Sequence, residues 1–318
     1  MGAYIIRRLI QAVFVLLLLT FIVYGVMQLV PGDPLLMYLG ATDIEALSPE
    51  ALEQARHELG LDRNIVVQYG IWLGNVFQGD FGKSLHFRVD VLDLISQRMP
   101  ITIYLGILSF ILSSVIGISL GIIAAVRRGR WADTVATLVA NTAITIPIFW
   151  LGIIMILVFS VTLDWLPTAG YTSPFDDFWL STSKLIMPVI CLMIGSMGSN
   201  ARLTRTSMLE VIRQDYIRTA WSKGLKERVI IVKHALKNSL IPVVTVMGLQ
   251  VRFIFGGAVL IEKVFAIPGM GRLLVDATFG KDYLVVQGCV LVIGIIVVLT
   301  NLIVDISYGW LDPRVRYD

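Results

Sequence analysis

Charge is what this 318-residue sequence is short of, and reactive side chains are scarce too. Only 15% of its residues are Asp, Glu, Lys or Arg, where a soluble domain carries about 25%. Hydrophobic residues make up 56% and the mean hydropathy is +0.79, which excludes a soluble globular chain and reads as an integral membrane protein. There are two cysteines, Cys191 and Cys289, and both fall inside long apolar runs. Neither a disulfide framework nor a CxxC metal site is on offer, so both are expected to be small packing residues. The three histidines, His57, His86 and His234, stand at no ligand spacing, so no metal site is expected. No HExxH or paired-acid pattern sits at membrane depth, which argues against an intramembrane enzyme. An ion-coupled secondary transporter would place Asp, Glu or His in mid-span, and that alternative lacks its residues.

What the chain has in quantity is uncharged length. Runs at Leu9–Val30, Ile101–Val126, Leu151–Leu163 extended back to Thr134, Leu185–Ala201, Pro242–Ile261 and Leu284–Val304 give six candidate spans. About 20 apolar residues cross a bilayer as a helix, whereas barrel strands would alternate over about 10. The expected fold is therefore an all-α membrane domain of six transmembrane helices. Arg7 and Arg8 before the first run mimic a signal peptide, but the 22-residue core ends in Pro31-Gly-Asp-Pro34 without a small-x-small site, so an uncleaved first helix is expected. Six spans put both termini on one side. Sixteen Lys/Arg fall on that side against four in the short opposite loops, so both ends are expected to face the cytoplasm.

Residues 1–30 thus form a short tail and first helix, 31–100 an extracytoplasmic insertion, and 101–318 the remaining membrane core. In the insertion, Ser48 as N-cap, Pro49, Glu50 and a terminal Gly60 predict a three-turn helix with Leu52, Ala55 and Leu59 on one face. Gly-Lys-Ser at 82–84 resembles a P-loop tail, but Phe77 stands where the first glycine belongs, so Gly79 and Gly82 are read as turn residues. The 127–133 segment, RRGRWAD, reads as a tight basic turn that only anchors the chain. Pro147 predicts a kink in the third span, for which lining a cavity and simple packing both stand as readings. Asp164–Trp179 is acidic and aromatic, as at a membrane interface. Glu262–Tyr283 carries Pro268, Gly269 and Gly271 and is either a re-entrant segment bordering a passage or a plain surface loop. Arg252 is the one ionisable residue well inside a span, placed either against a partner subunit or along a substrate passage, with Gly256 and Gly257 beside it to let helices approach or bend.

One stretch breaks the scarcity of charge. Residues 202–241 carry nine Lys/Arg against three Asp/Glu, a net of +6, where the whole chain nets +3. Its pattern predicts a cytoplasmic helix–glycine–helix elbow: Asp215 capping a short helix with Ile217, Ala220 and Trp221 on its apolar side, a break at Gly224, and Val229, Ile230, Val232, Leu236 and Leu240 at helical spacing beyond. A positive-inside anchor explains the charge but not the ordered apolar positions. Tyr216, Trp221 and Leu225 beside cations make a docking surface, since aromatics and Arg are enriched at interfaces.

The segment RTAWSKG (218–224) resembles the EAAxxxG loop of ABC-importer permeases, with Arg218 at the Glu place, Thr219 and Ala220 at the Ala places and Gly224 at the Gly. The chain is more closely similar to the dipeptide/oligopeptide branch. It shares PGDP, LGLD (59–62), QGDFGKSL (78–85), RTSMLEV (205–211), DYIRTA, HALKN, IPVVTVMGLQ (241–250), PGMGRLLVD and a final LDPRVRY, spread over residues 31–317. Two departures stand out: no Leu-Pro follows the loop before Pro242, and Arg252 replaces the small or apolar residue expected there.

That resemblance implies a permease subunit of an ATP-driven importer moving di- or oligopeptides, with glutathione or nickel-complex transport as the alternatives within the branch. It implies a homologous second permease, two ATPase subunits, an extracytoplasmic peptide-binding protein and a lipid bilayer as partners, and no nucleic acid. The chain itself would hold no cofactor, ATP and Mg being bound by the ATPases. Asp215, Tyr216, Arg218, Thr219, Ala220, Gly224 and Leu225 would form the ATPase-coupling loop. Arg252, Gly256, Gly257 and Pro147 would line the translocation path, and Pro268, Gly269 and Gly271 a gate.

Overall fold

The computed structural model describes residues 2–29, 53–54, 57, 62–84 and 86–311, with side chains for all of these except 2–5, 251–255, 257 and 303–311. Each apolar run becomes a helix, because in hydrocarbon every backbone N–H and C=O must be satisfied within the segment. In chain order these are α1 (Gly2–Gln28), α2 (Ile65–Phe77), α3 (Val91–Val126), α4 (Trp131–Thr145), α5 (Ile148–Met155), α6 (Phe178–Ile212), α7 (Asp215–Ser222), α8 (Glu227–Val229), α9 (Lys237–Val264), α10 (Met270–Phe279) and α11 (Tyr283–Leu311). Wide, π-type turns extend α5 through Ile156–Thr162 and join α8 to α9 through Ile230–Leu236. Among the described residues five helices are long and apolar enough to cross a membrane, six if one bent pair is a single span.

That bent pair corrects the expected kink. The axes on either side of Pro147 turn by 103°, so the third run is two helices and not one bent one. Proline offers no N–H and disfavours the helical region for the residue before it, and Ile146 is extended at φ −74°, ψ 124°. Other boundaries moved outward. α3 starts at Val91, ten residues before the uncharged run, and holds Pro100 inside it. α6 runs on to Ile212, so the first 11 residues of the basic stretch continue a membrane helix and are not a loop. The predicted 48–60 helix lies largely outside the described residues; Glu53, Gln54 and His57 are helical.

The chain forms two compact units. The first comprises residues 1–101 and 272–298. Here Tyr24, Trp72 and Leu291 are buried together, and Thr20 and Tyr69 share a 2.8 Å hydroxyl hydrogen bond. Gly79 and Gly82 adopt φ +85° and +78°, as turn glycines should. Just beyond them, the Ser84 hydroxyl donates to Asp282, a carboxylate 1% exposed that also accepts the His86 N–H at 3.1 Å.

The second unit comprises residues 102–271 and 299–316. Small residues set its helix spacing, as they do where lipid supplies no hydrophobic drive between helices. A Cβ on Gly117 would lie 2.6 Å from the Met197 carbonyl, and one on Gly121 the same distance from that of Ala201, so α3 and α6 cross backbone to backbone. A Cβ on Gly198 would lie 2.5 Å from the Ala140 carbonyl, and Ala132, Ala136, Ala140 and Ala143 form the buried stripe of α4. Both cysteines are fully buried as packing residues.

Candidate functional site

The elbow forms where the sequence pattern places it, with one correction. Gln214 occupies the N-cap position of α7, so Asp215 is the first helical residue and not the cap. A carboxylate there still complements the helix N-terminus. The helix stops at Gly224, whose φ of +73° is open to glycine at little cost; its N–H reaches the Trp221 carbonyl at 2.9 Å. Ile217 and Ala220 turn inward against Ala125, Met208, Ile230 and Ala235. These contacts seat the short helix on the ends of α3 and α6 and on the wide turn.

The opposite side of the elbow is open. Tyr216, Trp221, Leu225 and Val229 are each 40–44% exposed, on the most cationic segment of the chain. Arg218 lies 3.5 Å from Asp215, but the two side chains are 71% and 96% exposed, so the pair adds little stability and leaves the guanidinium accessible. Thr219 donates back to the Asp215 carbonyl at 3.0 Å. The Tyr216 hydroxyl accepts from Asn238 Nδ2 at 2.9 Å, tying the outer face to the start of α9. Trp221 was expected on the buried side; it instead edges a cleft of about 190 Å³ that also exposes Arg128 and Arg213.

Two ties in this unit escape pattern reading. Asp133 and Arg205 form a bidentate pair, Nε to Oδ1 at 2.7 Å and Nη2 to Oδ2 at 3.0 Å. The same carboxylate accepts from the Gly129 N–H and the Thr137 hydroxyl. The 127–133 turn therefore does more than anchor: it opens α4 and clamps α6 seven residues before that helix ends. The second tie is Glu262, wholly buried near the end of α9, with Oε1 accepting from Thr102 at 2.6 Å. Thr102 Oγ1 in turn accepts the Met270 N–H at 2.8 Å.

Glu262 explains the glycines of the Pro268–Gly271 turn. A Cβ on Gly269 would collide with the Glu262 carboxylate, and one on Gly271 would lie 2.5 Å from the Val259 Cα. Gly269 and Gly271 thus both lie against this acid, with Pro268 just before them in the chain. Along the expected path, Gly256 is exposed with open space about it, and Gly257 and Arg252 lie on α9 with side chains outside those described. Pro147 precedes α5, whose Gly152 sits 3.2 Å, measured from a would-be Cβ, from the Phe265 ring. Asn200 and Thr204 on α6 and Gln250 on α9 carry buried polar atoms without a hydrogen-bond partner among the described residues, candidates that charge counting alone passes over.

Residues 117–317 match the family model for the binding-protein-dependent transport system inner membrane component, and 1–106 match its N-terminal companion. The chain belongs to that family. Within it, the chain is 44% identical over 321 residues, the whole of both chains, to a Brucella abortus protein carrying a peptide transport permease name. It is 39% identical over 337 residues, again end to end, to the dipeptide transport permease DppB of Alkalihalophilus pseudofirmus. It is 40% identical over 314 residues, 99% of each, to the glutathione transport permease GsiC of Escherichia coli K12. Among solved structures, the inward-facing MetNI methionine ABC transporter shares the fold, with TM-score 0.57 at 19% identity over 70% of this chain and 97% of that one. Like other inner membrane components of this family, the chain is a multi-pass protein of the inner membrane.

Proposed function

We propose that this chain is the membrane-spanning permease subunit of an ATP-driven importer for di- or oligopeptides, driven through the elbow at 215–224. Full-length identity to DppB and to a Brucella peptide permease supports the substrate class. The elbow supports the coupling, since it has a packed inner side, an exposed aromatic and cationic outer side, and a rigid seat on α3 and α6. Two ATPase subunits, a homologous second permease and an extracytoplasmic peptide-binding protein complete the assembly. Residues 202–241 and both termini face the cytoplasm in this arrangement, and 31–100 lie outside. The chain performs no covalent chemistry and holds no cofactor; ATP and Mg belong to the ATPases.

A lever argument gives the mechanism. α7 is gripped from outside and packed from inside, so displacement by an ATPase moves the adjoining ends of α6 and α9. Substrate passage then depends on different contacts in the inward and outward states. Pro147, Arg252, Gly256 and Gly257 are assigned to the path, and the Pro268–Gly271 turn, pinned by Glu262, to a gate beside it. Glutathione transport is the second reading, favoured by the GsiC identity.

The test is reconstitution of the chain with its neighbouring permease, ATPases and binding protein in proteoliposomes. ATP-dependent uptake of a labelled dipeptide is expected, and uptake of glutathione in preference selects the second reading. Transport by the purified chain alone on an ion gradient overturns both.

A further inference from the structure

The cleft beside Trp221 is too small for a free small molecule and has the wrong lining for water alone. Its volume is about 190 Å³, below the roughly 300–1,000 Å³ of small-molecule sites. Its floor is apolar: Val126 at the end of α3, Leu209 and Ile212 on α6 and Ile231 on the wide turn are accessible, over the buried Ala125, Ile230 and Ala235. Its rim carries Arg128 and Arg213 against a single acid, Glu227, and neither arginine makes an ion pair among the described residues. Both are exposed. An apolar floor under unpaired cations suits part of an amphiphile with an anionic head.

Position decides between a lipid and a protein side chain as that amphiphile. Ala125 and Val126 are the last two residues of the uncharged Ile101–Val126 run, and the first cations of the turn follow immediately. The floor therefore sits where the hydrocarbon ends and headgroups begin. Ile111, Val115, Ile123 and Val126 of α3 are exposed and Val126 also lines the cleft, a lateral route for an acyl chain. Basic pockets between membrane helices on the cytoplasmic side are suited to anionic headgroups.

We propose that this cleft binds one anionic phospholipid, its phosphate held between Arg128 and Arg213 beside Trp221 and a segment of its acyl chain lying on Val126, Leu209, Ile212 and Ile231. Bound there, the lipid fills the space behind the elbow and stiffens its seat, so anionic lipid content tunes the coupling of the permease.

Phosphatidylglycerol binding to the purified full chain, with its co-purifying subunits, is measured by native mass spectrometry and by titration in nanodiscs against phosphatidylcholine. The wild type should retain phosphatidylglycerol and not phosphatidylcholine. The Arg128→Gln/Arg213→Gln pair should bind it about thirtyfold more weakly, from the usual attraction of two cations to an anionic surface. The Arg128→Lys/Arg213→Lys pair, which keeps the charge, should stay within about threefold of wild type and controls for folding. Equal retention of both lipids, or unchanged affinity in the Gln pair, overturns the proposal. Displacement of the lipid by inorganic phosphate alone overturns it in favour of a simple anion site. Loss of ATPase association by the Gln pair in lipid-free detergent overturns it in favour of a protein side chain in the cleft.

Discussion

The hydroxyl of Thr102 donates to the buried carboxylate of Glu262 at 2.6 Å, and the same oxygen accepts the Met270 N–H at 2.8 Å. One side chain from α3 thereby joins the end of α9 to the start of α10. Gly269 follows from it, because the carboxylate occupies the space that a Cβ would need, while at Gly271 the Val259 backbone blocks a Cβ first.

Replacing Thr102 by Val keeps the shape and removes both hydrogen bonds. Leaving a buried polar group without its partner costs about 1–3 kcal/mol, so Thr102→Val should destabilise by that order, measured as thermal unfolding in detergent. Gly269→Ala should cost more in the wild type than in a Glu262→Ala background, where the colliding carboxylate is gone. Equal costs in the two backgrounds would show that Glu262 does not dictate that glycine.

Asp133 and Arg205 should behave as a unit. Removing either leaves its partner half-buried and unpaired, so Asp133→Ala and Arg205→Ala should each destabilise by about 1.5–3 kcal/mol, with the double variant little worse than either. A double-mutant cycle by chemical denaturation measures this, and additive losses would mean the bidentate pair carries no coupling. Because the pair clamps α6 just before the elbow, uptake per ATP hydrolysed should also fall in both single variants.

Gly224 separates backbone strain from partner contact. Its φ of +73° makes any side chain strained by about 1–2 kcal/mol, while nothing lies within 4 Å of a would-be Cβ. Gly224→Ala and Gly224→Trp should therefore lower the melting temperature alike. If the elbow seats in an ATPase, only Trp should abolish the coupling of hydrolysis to uptake. Normal transport by the Trp variant in proteoliposomes would sink the coupling role.

The elbow was legible because it rests on local rules. Apolar residues at helical spacing define the buried side of α7, and a glycine supplies the left-handed stop. The Asp133–Arg205 pair and the Glu262–Thr102 tie were not legible, since 72 and 160 residues separate their partners. A sequence pattern within one helix carries no record of which side chain it meets on another. The correction at Asp215 is of a third kind: Ser, Thr, Asp and Asn all favour helix starts, and a one-residue shift between N-cap and first turn lies below what such preferences resolve.

Hydropathy alone determined that this chain is an α-helical membrane protein, because unsatisfied backbone in hydrocarbon leaves so few alternatives. Motifs spread along its length fixed its family, and glycine with spaced apolar residues fixed the elbow. Only tertiary structure decided that Pro147 breaks a helix through 103° and that the basic stretch begins as a continuation of α6. It alone decided that a buried acid shapes the Pro268–Gly271 turn. Those outcomes depend on which helices touch, and that is set by close approach at Gly117, Gly121 and Gly198, not by the preferences of any single segment.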